Sequence, residues 1–165
     1  MTTKPIFEVK FTATGQCVGR LRNEVTLTAH APFQSQNMLA SDEGAGQGGD
    51  GTAPTPLEYF LTGLVGCLMT QIRVFSRRMK VPFEDMAVSC AADWAGVADA
   101  DAPYRGVPVG FSIDIDIQAA PDTDPERIDA LIDAARKGCF VEQTLAHANT
   151  VTHRRRINAG AWSDI

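Results

Sequence analysis

Residues 54–67 read PTPLEYFLTGLVGC, and the fold turns on this stretch. Thr55 has the side chain of a helix N-cap. Pro56 suits the first helical position, where its missing N–H is no loss, and Glu58 stands three residues after the cap, the spacing of a capping box. At about 100° per residue the apolar side chains from here onward gather on one stripe: Leu57, Leu61, Leu64, Leu68, Ile72, Phe75 and Met79. The spacing predicts one long helix with a core-facing seam. Its opposite face is only weakly polar in the first half, with Tyr59, Thr62, Gly66 and Met69, and becomes charged in the second, with Arg73, Arg77 and Lys80. The first half is therefore expected to be buried on every side. A single chain of 165 residues rarely encloses a helix completely, so packing by a partner chain is the natural explanation.

Upstream, residues 6–13 (IFEVKFTA) and 24–30 (EVTLTAH) alternate apolar and polar like half-buried strands, and residues 17–22 are a possible strand between them. Residues 41–54 (SDEGAGQGGDGTAP) are expected to form a flexible loop, long enough to be functional. Downstream, residues 86–94 and 109–118 read as strands; in the second, Phe111, Ile113, Ile115 and Ile117 face one way and Ser112, Asp114 and Asp116 the other. Asp124-Pro125-Glu126 opens a second helix that Gly138 closes. A helical turn is expected over Cys139 to Leu145 and a last strand over 149–157. Strands and helices mixed in this order argue an α+β fold, in a single domain spanning 1–165.

The chain is 44% hydrophobic and 21% charged with a net charge of -5, ordinary for a globular protein. That charge makes nucleic acid and anionic membrane poor partners. The opening MTTKPIFEV has no apolar segment of the secretory kind, and no apolar run is read as approaching the roughly 18 residues of a membrane span. A cytoplasmic location is expected. Asp114 and Asp116 read as a solvated strand face rather than a metal site, and His30, His147 and His153 stand at no recognisable distance from a nucleophile. Neither metal nor cofactor is expected, and no motif of serine hydrolases or nucleotide-binding proteins occurs.

The four cysteines are Cys17, Cys67, Cys90 and Cys139, with no C-x-x-C pair among them. In a reducing compartment each is either a small buried apolar residue or a reactive thiol. Cys67 lies inside the long helix near Gly63 and Gly66, each costing about 1 kcal/mol relative to alanine, a cost that close approach of another backbone or a ligand would justify. A reactive cysteine has to be a thiolate, which positive charge favours. Cys67 is eleven residues beyond Pro56, too far for the helix dipole to act alone. Arg20 and Arg22 are candidate cations, sharing a strand face if extended. Cys139, 72 residues from Cys67, can meet it only through tertiary structure. If they meet, a sulfenic acid on one can be resolved by the other. Cys90 reads as core, and Cys17 as oxidisable if exposed.

The PTPLEYFLTGLVGC helix, the later GCFVEQTL of residues 138–145 and the SDE…GGDG loop together resemble the OsmC/Ohr family of small thiol-dependent peroxidases, on its OsmC-like branch. The resemblance covers most of the chain. It implies an intertwined homodimer with two interface sites, each beside the long central helix, and reduction of organic hydroperoxides by a peroxidatic and a resolving cysteine. Carried across, Cys67 is peroxidatic, Cys139 resolving and Arg20 the candidate activating arginine, with a small hydrophobic peroxide as substrate and an external dithiol as reductant. Two positions depart from the family pattern. Leu57 stands where the peroxidases keep a glutamate after the helix-opening proline. The A-T-G-G that precedes their arginine is here A-T-G-Q, so that Arg20 aligns only across a gap. The alternatives are a non-peroxidase dimer of this family that binds a small hydrophobic or electrophilic ligand, and a structural or regulatory dimer with inert thiols.

Overall fold

The computed structural model describes residues 4–165, so the first three residues of the opening read for a leader lie outside the described residues. The described chain contains ten regular elements besides a single 3-10 turn: β1 (Lys10–Cys17), β2 (Asn23–Ala31), β3 (Ser35–Ser41), α1 (Pro56–Met79), β4 (Asp85–Val97), β5 (Arg105–Gln118), α2 (Pro125–Gly138), α3 (Phe140–Ala146), β6 (Arg154–Arg155) and β7 (Ser163–Asp164). All strand pairing is antiparallel, and the fold is α+β as the element order argued. The chain divides into two compact units, one ending at Thr62 and one starting at Gly63, with the boundary inside α1.

The first unit is a three-stranded meander, β1-β2-β3. Residues 17–22 do not form a strand of their own. Cys17 pairs with Asn23, and Val18 N–H donates to Arg22 O at 3.0 Å, so the segment is the hairpin turn that joins β1 to β2. Arg20 and Arg22 therefore sit in a turn rather than on a strand face. The third strand was not foreseen: SQNMLAS lacks alternation, and its pairing with β2, from Asn23↔Ser41 to Ala29↔Ser35, is what makes it a strand.

The loop that follows is also not the flexible segment expected from its composition. Asp42, 1% exposed, accepts from Glu43 N–H at 2.9 Å, Thr52 N–H at 3.0 Å and Thr52 Oγ1 at 2.8 Å. Arg22 adds a 2.8 Å bond to the same threonine hydroxyl. Gly49 folds so tightly against Glu43 that any Cβ would overlap its carbonyl. A loop rich in glycine is thus closed on itself around one buried carboxylate, whose acceptors need those N–H groups.

The capping box at the start of α1 forms as read. Glu58 Oε2 accepts from Thr55 N–H at 2.6 Å and Thr55 Oγ1 from Glu58 N–H at 3.3 Å. At the other end Lys80 takes a left-handed φ of 55° and Val81 N–H donates back to Ser76 O at 2.9 Å, a Schellman ending. Arg127 reaches over from α2 to hold Lys80 O at 2.7 Å.

Leu64, Leu68 and Ile72, the centre of the stripe, are buried, whereas Leu57 and Met79 at its ends are exposed. Thr62, Gly63, Gly66 and Thr70 are exposed too, so the first half of α1 is not buried on every side within one chain. Nothing approaches within 4 Å of a Cβ added at Gly63 or Gly66. By length and composition α1 is also apolar enough to cross a membrane, which corrects the reading that no such run exists. Glycine, cysteine, methionine and threonine between its leucines carry little polar cost.

In the second unit, β4 and β5 form a long hairpin whose apolar side chains, Met86, Val88, Ile113, Ile115 and Ile117, pack on a core of Leu68, Ile72, Val81, Leu131, Ala135 and Cys139. Burying a leucine or isoleucine in such a core stabilises by about 1.5–3 kcal/mol. Asp124 caps α2 by accepting from Glu126 N–H at 3.0 Å. The strand read over 149–157 shrinks to Arg154–Arg155. Asn158 and Ala159 adopt left-handed φ values of 49° and 58° and turn the chain back, so that Ser163–Asp164 pairs with these two residues.

Candidate functional site

Both cysteines of interest belong to the second unit. Cys67 lies midway along α1 and is half-buried; Cys139 is fully buried at the junction of α2 and α3. The junction exists because Gly138 ends α2 and Cys139 turns extended, at φ -77° and ψ 105°. Cys139 then serves as the N-cap of α3, its sulfur accepting from Glu142 N–H at 3.5 Å. Gly138 is needed here: a Cβ would stand 2.7 Å from Phe75 Cζ and 3.5 Å from Gln71 Oε1. Without a side chain, the junction presses onto α1 one and two turns beyond Cys67. The result is that Cys139 and Cys67, both free thiols, lie close enough to interact electrostatically.

Burial pushes the Cys139 thiol up to about 11; the N–H of Glu142 opposes that, and the neighbouring Cys67 sulfur adds to it by favouring a protonated partner. At neutral pH Cys139 therefore keeps its proton.

A guanidinium–carboxylate pair stands beside Cys139. Arg136 Nε donates to Glu142 Oε1 at 2.9 Å, although the residues belong to different helices. Glu142 Oε2 is buried and finds no hydrogen-bond partner among the described residues. Both residues line a cavity of about 540 Å³ whose walls are otherwise apolar, from Leu68 of α1, Phe111, Ile113 and Ile115 of β5, Ile132 of α2 and Leu145 of α3. The chemistry available is thus two neighbouring thiols and an open apolar bowl with one acceptor and one cation among its lining residues. This pair escaped sequence reading because its partners are six residues apart across a helix break. The visible signal was C-x-x-E, which has capping-box spacing once Cys139 is recognised as an N-cap.

The other residues singled out by sequence lie elsewhere. Arg20, in the first unit, is exposed and faces Asp50 at 3.9 Å. Arg22 is held by Thr52 and by Glu24 at 3.6 Å. Leu57 is half exposed at the first turn of α1, and Glu58 is used by the cap. Cys17 is exposed at the end of β1. Cys90 lies on the β4 face that carries Met86 and Val88, and burial pushes its thiol up. Among the described residues no group of three or more His, Cys, Asp or Glu is placed to hold a metal ion.

The family model described as OsmC-like protein matches residues 48–154. An OsmC-like hydroperoxide resistance protein from Jannaschia sp. CCS1, solved as a crystal structure, is 44% identical, with 95% of this chain and 98% of that chain covered and a TM-score of 0.60. An organic hydroperoxide resistance protein OsmC from Legionella pneumophila is 18% identical over 86% of this chain and 91% of that one, with a TM-score of 0.55. An OsmC-like protein from Mycoplasma pneumoniae is 16% identical over 88% and 89%, with a TM-score of 0.57. The last two likenesses concern the fold alone. Comparison with curated proteins gives no match. The chain belongs to the OsmC-like protein family.

Proposed function

We propose that this protein is a thiol-dependent peroxidase that reduces organic hydroperoxides and so serves in peroxide stress. The observation that carries the reading is that the Cys139 and Cys67 thiols are neighbours. The Cys67 thiolate attacks the terminal oxygen of ROOH; the O–O bond breaks, the alkoxide takes a proton and leaves as ROH, and Cys67 is left as sulfenic acid. Cys139 then gives its proton and displaces water from that sulfenic acid, forming a disulfide, and an external dithiol restores both thiols by exchange. The likeness to the Jannaschia hydroperoxide resistance protein supports the reaction class.

A homodimer is part of the proposal. The uncovered face of α1 around Gly63 and Gly66, together with exposed Phe11, Phe33 and Met38 in the first unit, is more apolar surface than a monomer usually leaves in water. Arg20 is the proposed activating cation, and its exposed 3.9 Å pairing with Asp50 is weak enough to be exchanged. The second reading, a family member that binds a small hydrophobic or electrophilic ligand without turnover, is favoured by Leu57, which puts no carboxylate at the first turn of α1. Consumption of cumene hydroperoxide with dithiothreitol decides between them. Turnover by wild type that Cys67→Ser abolishes supports the peroxidase; no turnover by wild type supports the binding protein.

A further inference from the structure

Glu142 Oε2 is a buried acceptor with no donor among the described residues, at the edge of an apolar cavity of about 540 Å³. Buried polar atoms of this kind are rare, because losing water without gaining a partner costs about 1–3 kcal/mol. Arg136 spends Nε on the other carboxylate oxygen, and its two Nη groups meet no acceptor among the described residues. The cavity walls, Leu68, Phe111, Ile113, Ile115, Ile132 and Leu145, offer no further charge.

We propose that Arg136 and Glu142 form the polar clasp of a ligand subsite for a neutral molecule with an apolar body and a hydroxylic head. The head donates its proton to Glu142 Oε2 and receives a bond from Arg136, and the body lies against the isoleucines of β5 and α2. A carboxylate head fits less well, since it brings a negative charge and no proton to an oxygen that is already an acceptor. The subsite rests on the peroxidase reading only for what the head becomes. Glu142 ties the subsite to the thiols, its N–H being bonded to the Cys139 sulfur at 3.5 Å.

The test uses non-reacting probes: cumyl alcohol; tert-butylbenzene, which replaces its hydroxyl by methyl; and 2-phenylpropanoate. Affinities are measured by NMR titration of the whole protein. Wild type is expected to prefer the alcohol over tert-butylbenzene by roughly tenfold, the value of a hydrogen bond to a charged group, and to bind the carboxylate most weakly. Glu142→Gln is expected to reduce the preference to about twofold. Ile132→Trp, which fills the cavity from α2, should weaken alcohol and hydrocarbon alike and keeps the test open if Glu142→Gln misfolds. Equal binding of the two neutral probes by wild type, tightest binding of the carboxylate, an unchanged preference in Glu142→Gln, or unchanged affinities in Ile132→Trp overturns the subsite. None of these readouts involves turnover, so an inactive wild type with the expected alcohol preference removes the peroxidase reading and leaves the subsite standing.

Discussion

The thiol of Cys139 is a neighbour of the Cys67 sulfur, bringing the residue that caps α3 against the middle of α1. Two features place it there. Gly138 lets the α2–α3 junction lie against Phe75 and Gln71 without a side chain in between, and the extended backbone of Cys139 turns its sulfur back to the N–H of Glu142. Of the two thiols the buried one holds its proton, which leaves the half-buried Cys67 as the sulfur a peroxide can reach.

Alkaline pH should destabilise the fold through Cys139. Its folded thiol titrates at about 11, above the roughly 8.5 of a free thiol. The stability it contributes is therefore intact below about 8.5 and is lost as pH rises toward 11, at up to about 1.4 kcal/mol per pH unit. Urea midpoints should fall across this window, and fall less in Cys139→Ala.

Acid should act on the first unit instead. The N–H of Thr52, its hydroxyl and the N–H of Glu43 hold the Asp42 carboxyl below the usual carboxylate range. A depressed carboxyl contributes stability above its unfolded pKa, about 3.9, that is lost as pH falls through the lower folded value. Limited proteolysis within residues 43–51 should stay slow at pH 5 and accelerate below pH 4, and Asp42→Asn should be cut faster already at neutral pH.

Removing the cap of α1 has a predictable cost. Thr55→Ala deletes the hydroxyl that accepts from Glu58 N–H and should lower stability by about 1 kcal/mol, read from chemical denaturation.

The open glycine face of α1 distinguishes a monomer from a dimer. Because nothing lies within 4 Å of a Cβ at Gly66, Gly66→Leu is accommodated within one chain and should gain about 1 kcal/mol of helix propensity. If a partner packs there, the same change should halve the mass seen by light scattering while circular dichroism stays the same. A wild type that is already monomeric at micromolar concentration removes the dimer.

Much of this was legible in the sequence, because local chemistry decided it. Thr55, Pro56 and Glu58 start α1, Asp124 and Pro125 start α2, and period two marks Ile113, Ile115 and Ile117. What was not legible depended on partners distant in sequence. The polar SQNMLAS becomes β3 only by pairing with β2, and the glycine-rich loop closes on itself through hydrogen bonds to the buried Asp42 at its base. Cys67 and Cys139 were paired by resemblance; periodicity alone could not bring residues on α1 and before α3 together. The Arg136–Glu142 contact is not legible in the sequence because it crosses a helix junction.

Peptide mapping after one equivalent of cumene hydroperoxide, without reductant, tests whether Cys67 and Cys139 act as one redox pair. A single new linked species joining the Cys67 and Cys139 peptides is expected, with Cys17 and Cys90 still free, and in Cys139→Ser a sulfenic acid trapped on Cys67. Oxidation that leaves both Cys67 and Cys139 as free thiols, or links either of them to Cys17 or Cys90 instead, would contradict it.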